Sequence, residues 1–388
     1  MKTHHYFDYA AATPLDPRVL KAMQPYLTER FANPSSLHTP GREQRAALTD
    51  ARKRIAGVLG AKPAEIIFTS GSTEGINLAM QGVLRGFPQS RVVISAIEHE
   101  AVVAVASGLE RGWQVGTITV GESGVVDSLQ LAAAIDDTTV LVCLQYANNE
   151  IGSLQPISRV AAEVARIRAD RLRRGVTRPL YLFCDAAQAG MLSLAVARLG
   201  VDLLTMGGSK IYGPPGSGFL YVRTGTQLQP ILYGGGQENS VRPGTENVAA
   251  AVGLAAALEL VQADRAAEAK RQAGLRDWIW QELRQQLDGL LLNGTMNPRL
   301  PSNLNLVVNG APGETLVAHL DAAGIAVATG AACLAASDDP SPVLLAIGRT
   351  PEQAAASLRL TLGRGTSKAD AQSLVNTLRK VVPRVRQL

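Results

Sequence analysis

The segment Gly208-Ser209-Lys210-Ile211-Tyr212-Gly213-Pro214-Pro215-Gly216 puts a lysine after an apolar run and before a Gly/Pro turn. By itself such a lysine suits a solvated loop as well as it suits chemistry. The preceding apolar run ends in Cys184-Asp185-Ala186-Ala187-Gln188. An amine and a carboxylate at successive strand ends are what a pyridoxal phosphate site requires. The amine condenses with the aldehyde as a Schiff base, and the acid keeps the pyridine nitrogen protonated so that the ring can accept electrons. Asp185 could instead cap a helix, a common use of a carboxylate after a strand, but its spacing to Lys210 favours the chemical role.

Three other segments add to this pair. Phe68-Thr69-Ser70-Gly71-Ser72-Thr73-Glu74-Gly75 joins a strand to a helix through small and hydroxylated residues. Free N–H groups at a helix start, with hydroxyls beside them, make a phosphate cradle. Glu98-His99-Glu100 follows another apolar run, and an imidazole there could stack on a ring and move protons. Cys333 sits among small residues, Ala328-Thr329-Gly330-Ala331-Ala332-Cys333-Leu334-Ala335-Ala336-Ser337. Free cysteine is most often a small buried hydrophobe, and that reading fits Cys143 and Cys184 inside apolar runs. The surroundings of Cys333 favour a nucleophile.

The elements that must position these groups are short apolar runs alternating with helical stretches between about residues 65 and 223. Strands are expected at Ile66-Ile67-Phe68, 91–95, 115–120, 140–144, 180–183, 203–205 and 218–222. Runs apolar on both faces and separated by helices indicate a mostly parallel sheet covered on both sides. Ligands gather outside the carboxyl ends of such strands, which is where the residues above lie. From about 246 to 290 the spacing of Trp278, Ile279, Leu283 and Leu287 reads as helical. Beyond Pro301 come a strand (303–308), a helix (314–323), a strand (325–328), a polar loop (337–342), a strand (357–362) and a final helix from Lys368.

The chain has 388 residues, of which 46% are apolar and 18% charged, so it can bury a large core. Its net charge of +5 comes from 38 basic and 33 acidic residues spread without a long basic run. That gives little support to direct nucleic-acid binding. No stretch of ~18 apolar residues is present, so no membrane span is expected. The start of the chain lacks the apolar core of a signal peptide. Three irregularly spaced cysteines make neither a disulfide framework nor a metal cluster and suit a reducing cytoplasm.

Taken in order from residue 6 to residue 364, the motifs resemble those of cysteine desulfurases of the NifS/IscS type, class V aminotransferases among the fold type I pyridoxal-phosphate enzymes. The matching segments are Tyr6 to Pro14, Asn33 to His38, Thr69 to Glu74, Glu98-His99, Asn148 to Gly152, Asp185 to Gln188, Lys210 to Gly213, Gly234 to Glu238, Arg242 to Thr245, the stretch around Cys333, and Arg359 to Arg364.

The resemblance implies an α/β, aspartate-aminotransferase-like fold. A large domain (16–260) would carry a mostly parallel seven-stranded sheet, and a smaller α/β domain (1–15 with 261–388) would carry the cysteine loop. It implies that Lys210 holds the cofactor and serves as base, that Asp185 pairs with the pyridinium nitrogen, and that Gln188 bonds the ring hydroxyl. His99 would stack on the ring and assist proton transfer, Thr73 with the backbone of Ser72 would hold the phosphate, and Asn149 and Arg359 would hold the substrate. Thr245 would reach the phosphate of the neighbouring subunit in a homodimer. Cys333 would take the sulfur of L-cysteine as a persulfide, leaving L-alanine, and pass it to an acceptor protein for iron–sulfur cluster assembly or tRNA thiolation. The alternatives are a selenocysteine lyase-like enzyme on the same scaffold and a weakly active sulfur-relay scaffold. The chain departs from the family at Gly207-Gly208-Ser209-Lys210, where Ser-Gly-His-Lys is usual. Gly207 lacks the customary hydroxyl, and Ser209 is then expected to bind the phosphate in its place. Ala331 likewise replaces a serine ahead of Cys333.

Overall fold

The computed structural model describes residues 5–108, 112–330 and 339–387. Its strands are β1 (His5–Tyr6), β2 (Ile66–Thr69), β3 (Arg91–Ser95), β4 (Gln114–Ile118), β5 (Thr139–Gln145), β6 (Tyr181–Asp185), β7 (Leu203–Gly207), β8 (Gly218–Val222), β9 (Leu290–Leu292), β10 (Asn303–Val308), β11 (Ile325–Ala326) and β12 (Ser357–Thr361). The first four helices are α1 (Pro17–Thr28), α2 (Thr39–Leu59), α3 (Ser72–Leu84) and α4 (Glu100–Ser107).

Seven strands form one sheet in the order β2-β8-β7-β6-β5-β3-β4. Only β8 runs antiparallel to its neighbours, which gives the mostly parallel sheet expected from the sequence. Alternation in β5 sends Val142 and Leu144 into one apolar layer and Leu141 and Cys143 into the other. The first layer also holds residues of α1, α2 and the helix Val248–Ala263; the second holds residues of α3 and α4. Covered on both faces, the central strands of the sheet are apolar over most of their length.

A second apolar cluster forms around the antiparallel sheet β12-β10-β9. Leu304, Leu306, Leu358 and Leu360 pack there with Ile279 and Leu283 of the helix Arg265–Gln286 and with Leu374 and Leu378 of the helix Lys368–Val385. The N-terminal segment belongs to this cluster. β1 pairs in parallel with β11, and the buried Phe7 ring packs among these leucines.

The helical reading from 246 to 290 needs correction. Two helices occupy it, Val248–Ala263 and Arg265–Gln286, separated at Asp264. Leu287 is already extended (φ −135°, ψ 125°), Gly289 turns through the left-handed region (φ +68°), and β9 follows. Leu287 reaches the same core from an extended backbone, so its apolar spacing matched the helix without belonging to it.

Phe7→Ala removes a ring that is 0% exposed, so a loss of about 3–5 kcal/mol is expected. The urea midpoint of the purified variant checks this, and a loss within 1 kcal/mol, roughly the scale of a surface change, would contradict the role given to the N-terminal segment.

Candidate active site

Because β2, β3, β5, β6 and β7 all point the same way, their carboxyl ends meet at one edge of the sheet. A cavity of ≈ 320 Å³ opens there. Ser72, Thr73, His99, Asn149, Asp185, Gln188, Ser209, Lys210 and Arg359 all line it.

Lys210 closes a short 3-10 turn, Gly208–Lys210, directly after β7. Its Nζ donates to the carbonyl oxygens of Ala10, at 3.0 Å, and Ala11. The Gln188 side-chain amide donates to the same Ala10 oxygen at 3.0 Å. Thr13 anchors this N-terminal segment: its N–H and its hydroxyl both donate to the Ser209 carbonyl, and its Oγ1 accepts the Tyr212 N–H.

Asp185 ends β6 and is 5% exposed. Burial pushes its carboxyl up from the ordinary range, opposed by the Ala187 N–H at 2.9 Å and by the charges of His99 and Lys210. A buried acid of this kind gains most from a cationic N–H brought to it. His99 caps α4, and its Nδ1 accepts the Ala101 N–H at 3.0 Å. With Nδ1 accepting, Nε2 is the ring nitrogen left to carry a proton towards the cavity.

The start of α3 has the form of an anion cradle. Gly71 is its N-cap and offers no side-chain cap, which leaves backbone N–H groups for a ligand. Gly218 on β8 allows the approach, since a Cβ there would fall 2.7 Å from the Gly71 Cα. Glu74 accepts the Ser70 N–H and pairs with Arg242 at 2.8 Å, tying the following loop to this helix start.

Arg359 lies on β12 and is 2% exposed. Its Nη2 donates to Asp8 at 2.8 Å and its Nη1 to the Asn149 carbonyl at 3.2 Å. Its Nε has no hydrogen-bond partner among the described residues. Each Nη retains a second hydrogen, the fork that suits a carboxylate. The Asp8 and Ala10 contacts come from a motif matched in sequence but given no role there.

Two named residues are absent from this lining, one of them because it lies outside the described residues. Thr245 is exposed and does not line the cavity of its own chain. Cys333 lies in 331–338, outside the described residues. The chain on either side of that segment is held in place. Ala328 exchanges backbone hydrogen bonds with Arg359, and Ser341 donates to Glu150 at 2.5 Å. Cys143 and Cys184 are buried, and burial pushes both thiols well above their ordinary range, which suits inert core residues.

The donor set fits pyridoxal phosphate. A lysine amine, a buried acid, an amide and a hydroxylated helix start converge on one cavity, matching the aldehyde, pyridine nitrogen, ring hydroxyl and phosphate. The aminotransferase class-V pattern matches residues 5–374. The chain belongs to the class-V aminotransferase family. Among curated members, the protein named cysteine desulfurase IscS of Dictyoglomus turgidum is 40% identical, with 100% of this chain and 97% of that one covered. Cysteine desulfurase IscS 1 of Archaeoglobus fulgidus is also 40% identical, over 99% and 98%. Among solved structures, a NifS-like protein superposes with a TM-score of 0.88 at 30% identity, covering 98% of this chain and 99% of that one. SspA in complex with cysteine gives 0.79 at 32% identity, covering 92% and 98%.

One group of this class-V aminotransferase site was quoted from sequence without a role. Glu98 is fully buried beside His99 and accepts the Ser95 hydroxyl at 2.5 Å and the Gln145 N–H at 3.1 Å. Gln145 is the register partner of Asp185, and its side chain donates to the Ile97 carbonyl. Glu98 thereby fastens the loop before His99 to the strand end beside Asp185. Burial pushes its carboxyl from 4.5 up to about 8, with Asp185 adding to the rise. The folded protein thus keeps a proton that the unfolded chain releases above 4.5. The stability this contributes is lost as pH rises from 4.5 through about 8. In cofactor-free protein, Glu98→Gln is expected to flatten the fall of the urea midpoint between pH 5 and pH 8. Identical slopes in both proteins would overturn the assignment.

Proposed function

We infer that this chain is a pyridoxal-phosphate-dependent cysteine desulfurase, acting on L-cysteine to give L-alanine and a persulfide on Cys333. The observation that carries the reading is the convergence of Lys210, Asp185, Gln188 and His99 on one cavity with Arg359. Full-length similarity to proteins named cysteine desulfurase supports it.

When bound, pyridoxal phosphate supplies a carbonyl that captures the substrate amine and a ring that withdraws electrons from the substrate Cα. Lys210 would hold it covalently at rest, Asp185 would keep its ring nitrogen protonated, and Gln188 would bond its hydroxyl. Ser72 and Thr73 would hold its phosphate. His99 would stack on the ring and carry a proton on Nε2. Arg359 grips the substrate carboxylate with the hydrogens that Asp8 and Asn149 leave free, and Asn149 helps to bound the cavity beside it. The Lys210 amine, freed on substrate capture, takes the Cα proton. The Cys333 thiolate then attacks the substrate sulfur. One S–S bond forms, the Cβ–S bond breaks, and proton return releases L-alanine with no outside oxidant or reductant. Sulfur on Cys333 passes to an acceptor protein, for which iron–sulfur cluster assembly is the favoured use.

The same reading divides the chain into a large domain, 16–260, and a smaller one, 1–15 with 261–388, a division supported by the separation of the cluster around β12-β10-β9 from the two apolar layers of the seven-stranded sheet. It also makes the protein a homodimer in which Thr245 reaches the partner's cavity. Phe31, Leu37 and Tyr233 support this, each more than four-fifths exposed despite its apolar side chain. Among the described residues no helix is long and apolar enough to cross a membrane.

Incubation with L-cysteine followed by intact mass and peptide mapping is expected to find one added sulfur on Cys333, with alanine released. Cys333→Ala should release no sulfide above background. Sulfide release at the unaltered rate would instead favour a selenocysteine lyase-like enzyme. Arg359→Lys loses the planar fork, so its KM for L-cysteine is expected to rise about 10- to 100-fold, with the bound cofactor's absorbance unchanged.

A further inference from the structure

Gly207 ends β7 in an extended conformation (φ −113°, ψ 145°) that any residue can adopt, so backbone geometry does not require glycine there. The space beside it is shared with Ser72. A Cβ on Gly207 would lie 2.9 Å from the Ser72 hydroxyl oxygen and 3.3 Å from the Ser72 nitrogen. At the first distance the hydroxyl would have to turn away from its present place. Ser72 opens α3, and both residues line the cavity. Three other hydroxyls nearby are engaged with the backbone. Thr69 donates to Gly71, Thr205 to Phe219 at 3.0 Å, and Ser217 to Pro214 at 2.6 Å.

We propose that Ser72 and Gly207 form a coupled pair, in which the Ser72 hydroxyl supplies from α3 the phosphate hydrogen bond that a serine at position 207 would supply from β7. Gly207 stays bare because a side chain there would occupy the place of the Ser72 hydroxyl. A phosphate monoester dianion is the ligand group concerned, and a hydroxyl at a helix start donates to it alongside the free N–H groups. The pairing rests on the pyridoxal-phosphate reading and assigns to Ser72 the part that sequence alone gave to Ser209.

The test is the dissociation constant of pyridoxal phosphate for five cofactor-free proteins: wild type, Ser72→Ala, Gly207→Ser, Ser72→Ala with Gly207→Ser, and Ser209→Ala. Ser72→Ala is expected to weaken binding about tenfold. Adding Gly207→Ser to it restores affinity to near the wild-type value, whereas Gly207→Ser in the wild-type background brings no gain. Such non-additivity is the mark of two groups sharing one place. Pyridoxal, which lacks the phosphate, should bind Ser72→Ala and wild type equally, so a collapsed cavity is told apart from a lost phosphate contact. The pairing is overturned if the double variant binds no better than Ser72→Ala, or if Ser209→Ala alone carries the loss. Failure of the wild type to bind pyridoxal phosphate at all would instead defeat the underlying function.

Discussion

A carboxyl group buried at the end of β6 sets the terms for the rest of the site. Asp185 has one backbone N–H and the neighbouring charges of Lys210 and His99 to offset the loss of water. An acid so placed is costly unless a cation meets it. The arrangement around it makes such a meeting available. Parallel strands bring several chain ends to one edge, and two of them deliver a group that bears on the carboxyl: the amine after β7 and the imidazole after β3.

The edge of the sheet alone does not complete the cavity. The N-terminal segment and β12 do so from the other apolar cluster. Ala10 and Ala11 hold the amine of Lys210, while Asp8 and Asn149 hold Arg359. Arg359 belongs by backbone to the small sheet and by side chain to the cavity, so both apolar clusters contribute to its walls.

Much of this was legible in the sequence because the doubly covered sheet has a strong signature. Apolar runs located the strands, and the rule that ligands sit beyond their carboxyl ends singled out Asp185, His99 and Lys210 before any coordinates. Arg359, Thr245 and Cys333 needed the family pattern, since nothing in their local spacing distinguishes them. Asp8 was hidden because its partner is hundreds of residues away. Glu98 was hidden because a carboxylate beside a histidine looks solvated until burial is known. The relation of Ser72 to Gly207 depends on a clearance of a few ångströms across two elements, which no spacing encodes. Leu287 misled in the opposite sense, since one side chain can serve a core equally from a helix or from extended chain.

The pairing of β1 with β11, and of Phe7 with Thr361, bears on how the protein is made. Every strand of the seven-stranded sheet lies between residues 66 and 222, so a nascent chain can build that sheet before β11 and β12 are made. The residues that hold Lys210 precede the sheet in the chain, yet the strands that pin them follow it. Loop closure across such a separation is slow. Lys210 thus waits, on a sheet already formed, for the segments on either side of that sheet to meet.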